Sequence, residues 1–476
     1  MMTSSEWLRG EAPSLHLTGL AEHTAEIESG YGFVCVTKDP TQRIRYVAQA
    51  ESSGAAAILT DAEFAPIKTE LPVFALEHLV EQRGELAANF YEHPSASVRC
   101  IGITGTNGKT SVAYHIADLL NQMGCKTGYM GTLGWGLLDD LRDPDLTTGN
   151  PVALQRRLAT LKEVGCKVVA IEISSHALEQ GRAHDVQIEL AIFTNLSRDH
   201  LDYHKTMNEY AAAKARLFVD FPLNVAVLNT DDSFVDKVQI PDGIKVIGYG
   251  ADGDWSWETD DLDGRLQRVT WRTPMGALTA DLNVPAEYVL QNVTAALIAV
   301  TEMGSNLESC ADALVRLSHV PGRMEVVDMG PDNPSVVVDF AHTPDALDKV
   351  LAACRDKYSG RLICVVGCGG DRDQGKRPEM ARVSAKHADD LWFTSDNPRT
   401  EPPAVIIEDM LAGLPKNCNV NTVTDRREAI TRAVQSAAVG DIVLIAGKGH
   451  ETYQEIEGVR HPFSDRTVAQ SVLRER

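Results

Sequence analysis

The sequence predicts an α/β protein of three domains built on largely parallel sheets. Three observations carry that expectation. At 476 residues the chain exceeds one ordinary hydrophobic core. Short apolar runs alternate with stretches of helical spacing almost throughout. Two polar, proline-bearing segments interrupt the alternation: "YEHPSASVR" at 91–99 and "HVPGRME" at 319–325. Domains are therefore expected over 1–95, 96–320 and 321–476.

In the first domain, "GFVCVTK" and "AAAILT" read as strands. The second opens with the strand "VRCIGIT", a glycine-rich loop, and the helix "SVAYHIADLLNQMG", whose apolar residues recur at helical spacing until Gly124 stops it. "KVVAIEIS", "LAIFTN" and "NVAVLNT" are its further core strands. The third domain repeats the alternation with "SVVVDFAH", "RLICVVG", "DLWFTS" and "DIVLIAG". No internal repeat is visible.

Composition narrows the partners. The chain is 43% hydrophobic and 24% charged, as in globular proteins, and its formal net charge of −22 disfavours nucleic acid or an anionic membrane. An anionic substrate would need local clusters of Arg, Lys and backbone N–H. No apolar run approaches the roughly 18 residues of a membrane span, and "MMTSSEWLRGEAPS" lacks a signal-peptide core. Nine cysteines without a CxxC pair, most in apolar segments, imply reduced thiols and a cytoplasmic location.

"GITGTNGKTS", residues 102–111, departs from the usual G-x-x-x-x-G-K-[ST] phosphate loop, because Ile103 stands where the first glycine belongs. Its position between a buried strand and a helix still aims N–H groups and the helix dipole at an anion. Gly105 and Gly108 let the backbone approach phosphate oxygens, Lys109 reaches the β/γ-phosphates and the Thr110 hydroxyl suits Mg²⁺. Thr106, Asn107 and Ser111 complete the loop. Glu172, a lone acid in "AIEISSH", is either a metal ligand at a strand end or an outward residue of a half-exposed strand. Downstream, Arg198, Asp199, His200, Asp202, His204 and Lys214 crowd one stretch, with Lys214 among alanines that leave room around its amine.

Together "GTNGKT", "TNLSRDHLDYH", "AAAKARLF", "GRME", "DFAHTPDAL" and "GKGHE" make the chain resemble the ATP-dependent Mur ligases of peptidoglycan synthesis. "SSHALEQGRA", "GCGGDRDQGKRP", "SDNPRTEPP" and "GKGHETYQ" resemble the branch that adds the third residue of the stem peptide. The likeness runs from about 98 to 470 in consistent order, and "GTNGKT" is that family's own loop. It implies a small N-terminal α/β domain that binds UDP, a central P-loop-type ATPase and a C-terminal Rossmann-like domain that brings the amino acid. It also implies the reaction: ATP phosphorylates the free D-Glu carboxylate of UDP-N-acetylmuramoyl-L-Ala-D-Glu, and the amine of meso-diaminopimelate attacks the acyl phosphate. A monomer is expected.

Carried over by position, Lys109, Glu172, His200 and Lys214 would be catalytic, with Thr110 and Glu172 on a first Mg²⁺. His200 and Lys214 would serve a second ion, Lys214 as N6-carboxylysine. Asn292, Arg323, Asp339 and His342 would lie near ATP. Thr24, Thr147, Thr148, Ser174, Gln180 and Arg182 would meet the muramoyl dipeptide. Arg372, Asp396, Asn397, Pro398, Arg399, Gly447 and Glu451 would form the diaminopimelate pocket. There Arg372 and Arg399 would grip the far carboxylate that lysine lacks, a discrimination of order 10²-fold or more.

The chain departs from the family in its first domain. His23, Thr24 and Ala25 replace the usual Asp-Ser-Arg, and Lys38, Arg43 and Arg45 are either surface charge or diphosphate contacts. Leu146 and Val289 replace two common asparagines. A related ligase such as folylpolyglutamate synthetase, or a divergent paralogue with altered nucleotide-sugar recognition, is the alternative. An oxidoreductase is disfavoured, because Arg372 occupies the last glycine's place in "GCGGDR".

Overall fold

The computed structural model describes residues 16–476 except 145, 263–265, 285, 328–329 and 331–332; the N-terminal stretch read above lies outside that set. The chain divides into two compact units, 1–256 with 273–275 and 295–313, and 257–272 with 276–294 and 314–476.

The first unit carries two sheets. Gly19–Ala21, Tyr31–Cys35, Ala57–Asp61 and Val73–Leu76 form a four-stranded sheet, parallel throughout. The expected strands at 32–38 and 55–60 are its two central members. Asp39 caps the helix Pro40–Ser52 by accepting from Thr41 N and Gln42 N, with Pro40 preset for the first turn.

The second sheet has eight strands, in the order Lys245–Tyr249, Val225–Asn229, Ile188–Phe193, Arg99–Thr104, Val168–Glu172, Thr127–Gly131, Gly134–Leu137 and Asp140–Arg142. Only the last two run antiparallel to their neighbours. Arg99–Thr104 lies between Val168–Glu172 and Ile188–Phe193. The loops leaving these three strands therefore converge at one carboxyl edge, where α/β sheets hold ligands. Leu154, Leu158 and Leu161 of the helix Pro151–Glu163 pack with Val169 and Ile171 in the sheet's core.

The second unit carries a six-stranded sheet, in the order Glu325–Val327, Ser335–Asp339, Ile442–Ala446, Leu362–Val366, Asp390–Phe393 and Asn421–Thr422. All but the first strand are parallel. Val337, Cys364, Val366 and Leu444 enter one core, while Val336, Val338, Ile363, Val365 and Val443 enter another. Helices cover both faces, which is why "LICVV" reads as unbroken apolar sequence. The expected α/β architecture of mostly parallel sheets is what the chain adopts.

All nine cysteines are free, and only Cys125 and Cys418 are partly exposed. Among the described residues no helix is long and apolar enough to cross a membrane.

Candidate active site

The phosphate loop joins Arg99–Thr104 to the helix Lys109–Gln122. Ile103 is a fully buried strand residue, so the turn starts two residues later, at Gly105. Gly105 has φ +147, and a Cβ there would collide with the Thr194 hydroxyl and sit 3.1 Å from Asn195 N. Gly108, at φ +89, opens the helix. The loop is pinned to the next strand's exit: Thr106 N donates to Asn195 O at 2.7 Å, Asn107 N to Asn195 Oδ1 at 3.0 Å, and the Thr194 hydroxyl to Asn107 O at 2.6 Å. Lys109 Nζ donates to Gly105 O and Thr106 O, both at 2.9 Å. Ser111 follows in the helix's first turn.

Glu172 ends its strand fully buried, so it is not the outward residue of a half-exposed strand. Its carboxylate accepts from the Thr110 hydroxyl at 3.0 Å, the Tyr129 hydroxyl, Thr132 N at 2.9 Å and the Thr132 hydroxyl at 3.2 Å. The sequence reading missed Tyr129 and Thr132; one is an ordinary strand residue and the other lies in the turn that follows.

Lys214 is 1% exposed, on the helix Met207–Val219. Its amine donates to Gly105 O at 2.7 Å and lies 4.3 Å from the centre of the Tyr210 ring. Burial, reinforced by Lys109 and opposed by Asp199, holds its pKa well below the usual lysine value. Tyr210 also hydrogen-bonds Thr106 at 3.2 Å, tying this helix to the phosphate loop. His200, half-exposed at φ +53, stands beside Asp199 and stacks edge-on to His176 at 4.9 Å. His204 is buried, its Nε2 2.9 Å from the Ser175 hydroxyl. The side chain of Asp202 lies outside the described residues.

Among the described residues no three His, Cys, Asp or Glu side chains group as a metal centre. The donors that do meet here are the Thr110 hydroxyl and the Glu172 carboxylate, joined by one hydrogen bond. A buried carboxylate beside a hydroxyl, at the mouth of a phosphate loop, fits a hard divalent cation.

The dipeptide-contacting candidates are linked to Glu172. The Thr148 hydroxyl donates to Glu172 O at 2.8 Å and accepts from Ser174 N at 3.0 Å. Thr147 meets Thr132, oxygen to oxygen, at 3.2 Å. Arg182 donates to Thr148 O, and its burial lowers its pKa; Gln180 donates to the Tyr203 hydroxyl at 3.1 Å. Thr24 stands apart, its hydroxyl donating to Gln49 Oε1 at 3.2 Å. Arg43 is taken up by the carbonyls of Thr37, Lys38 and Phe64 and stacks on the Phe64 ring. Arg45 stacks on its neighbour Tyr46, and Lys38 is exposed. Arg43 is thus a loop brace.

In the second unit, expected residues gather where parallel strands end. Asp339 accepts from Met324 N and Ala341 N, both at 2.7 Å; burial raises its pKa against the pull of Arg323. Arg323 lies over the Phe340 ring at 4.6 Å, and His342 Nδ1 is 2.9 Å from Phe340 O. Asn292 is buried on the helix Glu287–Glu302. His450 packs on Phe340, and burial with Arg323 and Lys448 lowers its pKa to about 4.

Arg399 sits at φ +51, donates to Gly370 O at 2.8 Å and lies 3.8 Å from Glu455. A Cβ on Gly369 would meet Arg399 NH1 at 3.0 Å and Arg372 Cγ at 3.8 Å, so both arginines flank one glycine. Pro398 O would clash with a side chain at Gly370. Asn397 donates to Glu451 at 2.8 Å, and Asp396 Oδ2 would lie 2.6 Å from a Cβ at Gly447. All seven expected pocket residues thus lie on three adjoining loops. Arg426, unmarked in sequence, supports them: fully buried, it pairs with Asp465 at 2.7 Å and donates to Ser395 O and Ala446 O.

Known proteins resemble the chain in sequence and fold. The Mur ligase middle domain matches residues 103–300, and the Mur ligase glutamate ligase domain matches 322–449. A UDP-N-acetylmuramoyl-L-alanyl-D-glutamate--2,6-diaminopimelate ligase of Coxiella burnetii is 44% identical over 443 residues, 90% of each chain. One of the same name from Thermosynechococcus vestitus is 40% identical over 474 residues, covering 98% of this chain and 95% of the relative. A solved structure, again so named, superposes with a TM-score of 0.68 at 35% identity, covering 100% of this chain and 99% of the other. Mycobacterium tuberculosis folylpolyglutamate synthase, at 18% identity and TM-score 0.63 over 83% of this chain and 96% of its own, shares the fold alone. The chain belongs to the Mur ligase family.

Proposed function

We propose that the protein is an ATP-dependent carbon–nitrogen ligase of peptidoglycan precursor synthesis, joining meso-diaminopimelate to the free D-Glu carboxylate of UDP-N-acetylmuramoyl-L-Ala-D-Glu. Oxide is a poor leaving group, so the carboxylate must first be activated. Transfer of the γ-phosphoryl of ATP to a carboxylate oxygen releases ADP and leaves an acyl phosphate. Attack by the neutral amine then forms the C–N bond, breaks the C–O bond to phosphate and releases phosphate and one proton. The protein's share is positioning and charge neutralisation.

The observation that carries this reading is the convergence of the Thr110 hydroxyl, Glu172 and the buried Lys214 amine on the Gly105–Thr110 loop. Loop N–H groups and Lys109 hold the phosphates. Thr110 and Glu172 would hold one Mg²⁺, and His200 with Lys214 a second; bound there, the ions neutralise phosphate charge. The depressed pKa of Lys214 favours its unprotonated amine, the form that adds to CO₂ and loses a proton to become N6-carboxylysine. Thr147, Thr148, Ser174, Gln180 and Arg182 contact the dipeptide, and Thr24 supplies a hydroxyl to the nucleotide-sugar end. Asn292, Arg323, Asp339 and His342 serve the nucleotide. Arg372 and Arg399 take the far carboxylate of diaminopimelate, with Asp396, Asn397, Gly447 and Glu451 around its amine.

Oxygen-18 in the D-Glu carboxylate tests the chemistry. An acyl phosphate transfers one labelled oxygen to the released phosphate; unlabelled phosphate, or label in AMP, would refute it.

A further inference from the structure

Lys448 lies between two residues of the proposed amino-acid pocket, Gly447 and Glu451, in "GKGHE", and nothing above gives it a role. It is 0% exposed. A fully buried ammonium is costly unless every partner is in place. Here Nζ donates to Glu451 Oε2 at 2.6 Å and to Asn397 Oδ1 at 3.0 Å, with the Tyr453 ring 5.6 Å away.

These bonds settle the orientation of both partners. Asn397 Oδ1 receives Lys448 and Glu455 N, the latter at 2.9 Å, which leaves its Nδ2 to donate to Glu451 Oε2 at 2.8 Å. Both side-chain donors converge on one oxygen of Glu451; Oε1 takes no hydrogen bond from the described residues. Glu451 remains 19% exposed while Lys448 is sealed beneath it. A carboxyl group with one oxygen occupied and the other spare is placed to accept a ligand's ammonium.

We infer that Lys448 is a positioning and specificity-determining residue: with Asn397 it fixes the orientation of Glu451, so that the pocket selects an amino acid by its ammonium group. The inference rests on the proposed diaminopimelate reading. Arg372 and Arg399 would answer for the carboxylate, and the Lys448–Asn397–Glu451 triad for the amine. Loss of a charged hydrogen bond of this kind costs of order 10- to 100-fold in affinity.

The test compares wild type with Lys448→Met, Lys448→Arg, Glu451→Gln and the double variant Lys448→Met/Glu451→Gln, by phosphate release with UDP-MurNAc-dipeptide, ATP and Mg²⁺. Far-UV circular dichroism and melting select folded samples, and the Arg variant serves should the Met variant fail to fold. Lys448→Met should raise KM for diaminopimelate about 30-fold, with kcat and the KM values for ATP and nucleotide-sugar changed less than about threefold. Lys448→Arg should recover part of that loss. In the Glu451→Gln background, Lys448→Met should cost little more, because the carboxylate it serves is gone. An unchanged KM for diaminopimelate, an equal rise in all three KM values, or full additivity with Glu451→Gln would overturn the inference while leaving the ligase reading intact. Wild-type protein without turnover on diaminopimelate would sink the ligase reading, and this inference with it.

Discussion

A lysine amine 1% exposed and 2.7 Å from a carbonyl oxygen is chemically unlike a surface lysine. Desolvation and the neighbouring Lys109 charge favour its neutral form, and a neutral amine is a nucleophile. Lys214→Ala should therefore lower kcat/KM by at least about 10³-fold, with partial rescue by a short free carboxylate. Phosphate release measures both, and full activity would refute the carbamate. Sequence showed Lys214 only as a helix lysine among alanines. What it could not show is Tyr210, four residues earlier, whose ring and hydroxyl join that amine to Thr106. Lys448 is the converse case: its motif was plain, but only its burial shows that it serves Glu451. The partners that seal both amines come from far along the chain, Gly105 for Lys214 and Asn397 for Lys448, where sequence spacing is silent.

Among the elements, the parallel strands were the most legible. Strands covered on both faces must be apolar at every position, so "RLICVVG" and "DIVLIAG" stand out. Gly134–Leu137 and Asp140–Arg142, added antiparallel at one sheet edge, carry no such run. Ser256–Asp261 is mostly exposed, and its acids read as loop. The Arg426–Asp465 pair also escapes sequence, because each residue sits near a helix start where charge is ordinary. Its geometry makes a stability prediction. Arg426→Ala strands Asp465 in the interior and should destabilise the second unit by about 3–5 kcal/mol. Replacing both by apolar residues of similar volume should cost far less. Calorimetric unfolding of both variants checks this; equal losses would contradict it.

At the scale of the whole molecule, a chain of net charge −22 is proposed to bind three anionic or zwitterionic ligands. Its overall field opposes them, so recognition must rest on a few placed cations and on N–H groups at strand ends. The cations proposed for this are Lys109 on the loop, Arg182 on Thr148, and Arg372 and Arg399 beside Gly369. The family's order of motifs along the chain made this plan readable, since most of them, such as "GTNGKT", "DFAHTPDAL" and "GKGHE", begin where a strand ends. In the N-terminal part the two central strands were readable but the ligand contacts were not, because Thr24 and Arg43 turn to intramolecular partners. The most direct measurement of the central claim is phosphate release with UDP-MurNAc-L-Ala-D-Glu, ATP and Mg²⁺, with diaminopimelate set against lysine. Turnover with diaminopimelate, preferred by about 10²-fold or more in kcat/KM, is the predicted result. Turnover with neither would contradict the ligase itself, and a preference for lysine would contradict the role of Arg399.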